Sequence, residues 1–254
     1  MTYSHNSYGD AFANVYDEWY HDLDAIDDCT EFLLQLAAGG SVLELGVGTG
    51  RIAIPLASRG AAFGVRVIGI DSSAAMLERL EAKQLGSDAR VEAAWGHMVR
   101  DMPGGPFSVV LLAYNTLFNL LSAAEQLECL SRALVRLAPG GHVVVDCFVP
   151  ASELPDHIAP HAHRVLANGV VTSEATVNEQ EQLVDGTFIE ELNDGTRIEH
   201  PWSIRYSSVD EIDSMALQAG LVCEQRWSSY AREIFDDESA RHVSVYGRVA
   251  NHDS

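Results

Sequence analysis

VLELGVGTGR, Val42–Arg51, is the stretch that decides how this chain folds. A short apolar run ends in glycines at 46, 48 and 50, and RIAIPLASRG follows with helical spacing. Glycine tolerates positive φ and lets the backbone approach a ligand closely, so a strand turning through such a loop into a helix makes a cradle at the helix N-terminus. Working outward, VRVIGID reads as the next strand and ends in Asp71, 21 residues beyond Gly50. An acid there can accept hydrogen bonds from both hydroxyls of a ribose.

The order continues in the same manner. SSAAMLERLEAK reads as a helix, ARVEAAWG and FSVVLLAY as strands, SAAEQLECLSRALVRL as a helix, and HVVVDCF after the APGG turn as a strand. Strands alternating with amphipathic helices predict a doubly wound, mostly parallel α/β sheet. Before it, residues 8–19 read as one helix and 24–36 as a second. After Pro150 the pattern changes to period-two alternation, with Asp185-Gly186 and Asp194-Gly195 as hairpin turns of an antiparallel insertion. A helix at 209–219 and strands near 221–227 and 242–249 return to the core. The expected division is 1–40 (N-terminal helical lid), 41–150 (cofactor-binding core), 151–207 (antiparallel insertion over the acceptor) and 208–254 (the rest of the core).

Composition limits the partners. The chain carries 37 acidic against 16 basic residues, a net charge of −21, and Lys83 is its one lysine. That balance speaks against nucleic acid and anionic membrane surfaces and favours a neutral or cationic small molecule. The four cysteines are widely spaced, so buried reduced thiols are expected rather than a zinc site or a disulfide framework. His157, His161 and His163 read as part of a loop, not a metal site. The opening MTYSHNSYGD lacks a signal-peptide pattern and no apolar run approaches about 20 residues, so the expectation is a cytoplasmic protein without membrane contact. A homo-oligomer is compatible with all of this.

Two nucleotides compete for the glycine loop. A dinucleotide fingerprint is G-x-G-x-x-G, whereas this loop is G-x-G-x-G with Arg51 where the last glycine would fall. Glu44 just before the loop opposes a pyrophosphate and suits a ligand bearing a sulfonium and an α-amino group. ELGVGTG, IGIDSSAAML, LAPGG and the closing HVSVYGRV resemble the ordered motifs of class I S-adenosylmethionine-dependent methyltransferases. The resemblance implies a Rossmann-like seven-stranded sheet with S-adenosyl-L-methionine as cofactor. It places Glu44, Gly46, Gly48 and Gly50 at the methionine end, Asp71 on the ribose, and Ser72 and Met76 beside the adenine, with Arg51 also among the cofactor-binding residues. Where relatives often carry Gly-Asp, this chain has Gly96-His97-Met98, so His97 and the Met98 N–H stand in for the acid at the adenine amino group. Trp95 either stacks there or packs in the core.

The acceptor side follows the fourth strand, at AYNTLFNL, with Ala113 and Asn115 on the cofactor and Thr116 supporting placement. It lacks the Asn/Asp-Pro-Pro-aromatic motif of nucleobase and glutamine methylating enzymes, and the acidic metal ligands of catechol O-methyltransferases. The N-terminal YGDAFANVYDEWY holds five aromatic residues in thirteen, spaced along one helical face. Periodicity alone reads that face as core packing. Together with the glycine loop and YNTLFNL, the segment resembles small-molecule methyltransferases of actinobacterial antibiotic pathways, including the lincosamide N-methyltransferases. That resemblance puts Tyr16 and Tyr20 near the cofactor, and makes Tyr8, Tyr16 and Phe118 the catalytic-pocket residues.

The expected activity is methylation of a small molecule in specialised metabolism, at an amine nitrogen. Its rivals are C- or O-methylation of an aromatic such as an indole, an NAD-dependent oxidoreductase, and a cofactor-binding regulator without turnover.

Overall fold

A computed structural model of the chain describes residues 7–20, 26–87, 90–151 and 154–250, without the side chains of Ser7 and Tyr8. Two short helices, α1 (Ser7–Phe12) and α2 (Tyr16–Trp19), precede α3 (Ile26–Ala37). The core then runs β1 (Val42–Leu45), α4 (Ala53–Gly60), β2 (Val67–Asp71), α5 (Ala74–Lys83), β3 (Val91–Trp95) and β4 (Phe107–Leu112). A 3-10 turn at Thr116–Asn119 leads to α6 (Ala123–Arg136) and β5 (Leu137–Phe148). Four long strands come next: β6 (His157–Leu166), β7 (Gly169–Asn178), β8 (Leu183–Leu192) and β9 (Arg197–Arg205). The described chain closes with α7 (Val209–Ala219), β10 (Leu221–Trp227) and β11 (Arg241–Arg248).

The first sheet has seven strands in the order β10-β11-β5-β4-β1-β2-β3, parallel except where β11 enters antiparallel to both neighbours. All four residues of β1 are buried, as a central strand covered on both faces requires. One face packs on α3, α4 and α5 through residues such as Phe32, Leu56 and Leu80, and the other on α6 and α7 through Leu130 and Ile212. Strand order reverses between β1 and β4, so the crevice beyond their carboxyl ends is where the fold admits a ligand. Caps fix the helices that border it: the Ser73 hydroxyl accepts the Met76 N–H at the start of α5, and Ser122 accepts the Glu125 N–H at the start of α6.

The second sheet, β6-β7-β8-β9, is antiparallel. On β8 the buried residues Val184, Gly186, Phe188 and Glu190 alternate and share one face. Against that face sits an aromatic cluster in which Phe12, Trp19 and Phe188 meet edge to face at 5.6–6.0 Å.

Three sequence expectations change here. The single helix over 8–19 is two helices broken at residues 13–15, where the Asn14 side-chain oxygen accepts from Arg79 and Val15 becomes the N-cap of the second helix. Asp185-Gly186 is not a turn but mid-strand. The β7–β8 reversal lies at Glu179–Gln182, where Asn178 caps the Glu181 N–H and Gln182 takes a φ of 56°. Asp194-Gly195 does form the β8–β9 turn, with Gly195 at φ 87°. HIAPHAH is strand β6, not a loop: it is an edge strand whose register shifts around Pro160, where a missing N–H is tolerated.

Candidate functional site

The loop after β1 is built by hydrogen bonds rather than by bulk. Asp71 at the end of β2 accepts the Gly48 N–H at 2.8 Å on one carboxylate oxygen and the Ser73 N–H at 2.9 Å on the other. Burial raises its pKa, against the pull of these N–H donors. Gly46 and Gly48 take φ of 67° and 55°. A Cβ on Gly46 would stand 2.9 Å from Thr116 Cγ2, whereas one on Gly48 would meet nothing within 4 Å, because that side of the loop faces open space.

The open space is a cavity of about 270 Å³ at the β1/β4 switch point. Of the residues expected from sequence, Tyr16, Tyr20, Glu44, Gly46, Gly48, Arg51, Asp71, Ser72, Met76, His97, Met98, Ala113, Asn115 and Thr116 lie on its wall. Gly50 and Gly96 do not: Gly50 packs against Ile54 and Leu80, and Gly96 against Asp101. Phe118 requires a correction. It is fully buried, stacked edge to face on Phe148 at 5.0 Å, in the core beneath the cavity. The 3-10 turn places it in the core with Leu117, off the cavity wall. The side chain of Tyr8 lies outside the described residues. Trp95 neither lines the cavity nor packs in the core: it is 71% exposed and its indole N–H donates to the Ser72 carbonyl at 3.0 Å. His97 accepts the Val99 N–H on Nδ1 at 3.2 Å, so a neutral ring carries its proton on Nε2.

Three groups on this wall are electrically unusual. Glu44 is 5% exposed, its Oε2 has no hydrogen-bond partner, and burial lifts its pKa to about 8 despite the nearby Arg51. Arg51 Nε and Nη1 are likewise buried without partners, the guanidinium lying 3.9 Å from the Tyr114 ring centre and 5.8 Å from that of Tyr16. Tyr16 also has a raised pKa, from burial, with Arg51 opposing. Buried atoms of an acid and a guanidinium that no protein group satisfies, Glu44 Oε2 with Arg51 Nε and Nη1, point to a ligand with complementary charges.

Other wall residues escape the sequence reading: Tyr114, Asn119, Phe188, Trp202 and Ile204. Tyr114 and Asn115 follow β4 with φ of 48° and 68°, a strained pair for residues with a Cβ. The Tyr114 N–H reaches Asp146 Oδ2 at 3.0 Å, the Asn115 N–H reaches the Asp146 carbonyl at 2.9 Å, and Asn115 Oδ1 accepts the Phe148 N–H at 2.8 Å. Phe188, Trp202 and Ile204 come from β8 and β9 and form an apolar end, with Phe188 and Trp202 ring centres 5.7 Å apart.

The N-terminal helices close over this cavity and are tied down by polar bonds. Ser73 donates to Asp10 at 2.6 Å, Arg79 to Asn14 at 2.7 Å, and Lys83 to Asp17 at 2.6 Å and Thr49 at 2.8 Å. On the other side the Ala11 carbonyl pairs with His200 Nδ1 at 2.8 Å, and His200 Nε2 lies 3.3 Å from the buried Glu190.

Comparison with known proteins accounts for this geometry. Residues 42–141 match the methyltransferase domain family. The solved CcbJ methyltransferase of Streptomyces caelestis is 36% identical and superposes with a TM-score of 0.91, covering 98% of this chain and 100% of that one. The chain belongs to the class I S-adenosylmethionine-dependent methyltransferases. The cypemycin N-terminal methyltransferase of a Streptomyces species is 39% identical to the methyltransferase over 114 residues, a match spanning 44% of each chain. S-adenosylmethionine-bound CalS10 of Micromonospora echinaspora, an amino pentose methyltransferase, shares the fold at 18% identity and a TM-score of 0.67, covering 91% of this chain and 96% of that one.

The wall fits the cofactor of the family. Glu44 Oε2 and the Arg51 guanidinium are the unpartnered groups that the α-ammonium and α-carboxylate of a methionine moiety would satisfy, and Gly48 leaves room beside them. Asp71 would receive the ribose hydroxyls. Among the described residues no three His, Cys, Asp or Glu side chains group to hold a metal ion, and no helix is long and apolar enough to cross a membrane.

Proposed function

We propose that the methyltransferase transfers a methyl group to an amine nitrogen of a small-molecule acceptor in specialised, antibiotic-type metabolism. The observation that carries this reading is the two-ended cavity: a charged end at Glu44, Arg51 and Asp71, and an aromatic end at Tyr16, Tyr20, Phe188 and Trp202. Arg51 is the one Arg or Lys among the described wall residues. Arg51 and Arg164 already lie 5.8 and 5.6 Å from the Tyr16 and Tyr20 ring centres, so the faces left for a cationic acceptor are chiefly those of Phe188 and Trp202, each attracting one by about 0.5–2 kcal/mol. The net charge of −21 favours the same ligands over distance. The names of relatives support an amino acceptor: one is an N-terminal methyltransferase and another an amino pentose methyltransferase involved in calicheamicin biosynthesis.

S-adenosylmethionine, when bound, supplies a methyl carbon already activated on a positive sulfonium. What remains for the chain is to orient an acceptor and exclude water. Asp71 holds the ribose, and Glu44 and Arg51 hold the amino-acid end. Tyr16 keeps its proton at neutral pH, its pKa being raised; its hydroxyl oxygen accepts an amine N–H, which leaves the lone pair free to attack the methyl carbon, and the ammonium formed gives its proton to water rather than to Tyr16. In this reading the 7–20 segment serves as a lid, and β8 and β9 provide the wall that selects the acceptor.

The test is to incubate the protein with S-adenosylmethionine labelled at its methyl carbon and a panel of small amines, phenols and indoles, following the label by NMR. Label appearing as N-methyl supports the reading. Label on oxygen or ring carbon alone overturns it in favour of the aromatic alternative. Tight cofactor binding with no transfer to any acceptor favours a regulator.

A further inference from the structure

Tyr114 stands between two guanidinium groups. Arg51 approaches its ring to 3.9 Å and Arg241 to 4.5 Å from the ring centre. Two like charges on one ring need counter-charges, and the two arginines find them differently. Arg241, on β11, binds Asp146 through Nε and Nη2, and Asp146 is fully buried at the end of β5. The same carboxylate accepts the Tyr114 N–H and the Tyr230 hydroxyl, both at 3.0 Å. Asp146 thus fixes Tyr114 twice, through its backbone and through the arginine lying on its ring.

Arg51 has no such fixture. Its Nε and Nη1 find no hydrogen-bond partner; besides its contact with Tyr16, the guanidinium lies on the Tyr114 ring, the nearer of the two. A planar cation stacked on an aromatic face keeps its edge available for a carboxylate in the two-pronged geometry that such pairs prefer. Arg241 is absent from the cavity wall, so any effect it has on a ligand passes through Tyr114.

We infer that Arg241 is a positioning residue for cofactor capture: the Asp146–Arg241 pair holds the Tyr114 ring, and the ring presents Arg51 to the α-carboxylate of the cofactor. The inference rests on the proposal above that Arg51 receives that carboxylate.

The test separates the two claims. Equilibrium affinities of S-adenosylhomocysteine and of its decarboxylated amine are measured by titration calorimetry for the wild-type protein, Arg241→Ala and Arg241→Lys. The lysine variant keeps a cation for Asp146 but not a plane for the ring, so it guards against a loss of folding in the alanine variant. The wild-type protein is expected to prefer the carboxylate-bearing ligand by about 10- to 100-fold, the range of a charge-assisted pair. Both variants should lose most of that preference while binding the decarboxylated amine within about twofold of wild type. Equal weakening of both ligands would show a merely structural role and overturn the inference, as would an unchanged preference. A wild-type protein with no preference would instead remove Arg51 as the carboxylate partner, and the inference with it.

Discussion

Gly186 lies directly beneath the indole of Trp202: a Cβ on residue 186 would stand 2.2 Å from Trp202 Cζ2 and 2.3 Å from Cε2. The two residues pair across β8 and β9, and the missing side chain lets the indole lie against the strand and form part of the cavity wall. Gly186→Ala should therefore tilt Trp202 into the cavity. The expected result is a several-fold rise in acceptor KM with unchanged cofactor affinity. Unfolding should be easier by about 1–3 kcal/mol, as for other overpacked sites. Steady-state kinetics and a denaturant titration check it.

Glu44 gives a proton-linked signature. Burial raises its pKa to about 8 from an ordinary 4.5, so the protonated form favours the folded, ligand-free protein. Its contribution to stability is complete below about pH 4.5 and is lost as pH rises through 8. An α-ammonium beside it would favour the ionised form. At pH 7, S-adenosylhomocysteine binding should release close to one proton, measured by calorimetry in buffers of different ionisation enthalpy. Glu44→Gln should abolish the release and flatten the fall in stability between pH 5 and 8.

Phe118 separates core from chemistry. Phe118→Ala should cost about 3–5 kcal/mol of stability, because the ring is fully enclosed against Phe148. Phe118→Leu, which keeps most of the volume, should retain wild-type kcat at a temperature where it is folded. A large fall in kcat without loss of stability would return the residue to the acceptor site.

Lys83 joins α5, the glycine loop and the N-terminal segment through Asp17 and Thr49. The pair is about one-third exposed, so its share is modest, about 0.2–1 kcal/mol. Lys83→Met should weaken S-adenosylhomocysteine binding by about two- to fivefold at low salt. The difference should shrink at high salt, as calorimetry at two ionic strengths would show.

What could be read from the chain followed from local rules. The glycine loop, Asp71 and the alternation of strand and helix are dictated by neighbours in sequence, and the seven-stranded, mostly parallel sheet followed, with most of the expected cofactor residues on one cavity wall. The acceptor wall was hidden by one dipeptide. Reading Asp185-Gly186 as a turn broke β8 in two, which removed the period-two face that carries Phe188 and left Trp202 without a partner strand. Glycine there answers a tertiary contact with Trp202, and such contacts leave no local signal. That Phe118 packs in the core and not on the cavity wall was hidden for a related reason: the 3-10 turn after Asn115 decides which way the ring points, and its left-handed entry is held by Asp146, 31 residues away.

The measurement that bears most directly on the account is a crystal structure of the protein with S-adenosylhomocysteine. The account predicts ribose hydroxyls on Asp71, the amino-acid end between Glu44 and Arg51, and the sulfur facing the aromatic end, with Tyr16 about 3–3.5 Å from the methyl path. A ligand lying the other way, with its amino-acid end away from Glu44 and Arg51 or its sulfur turned from Tyr16 and Trp202, would contradict it.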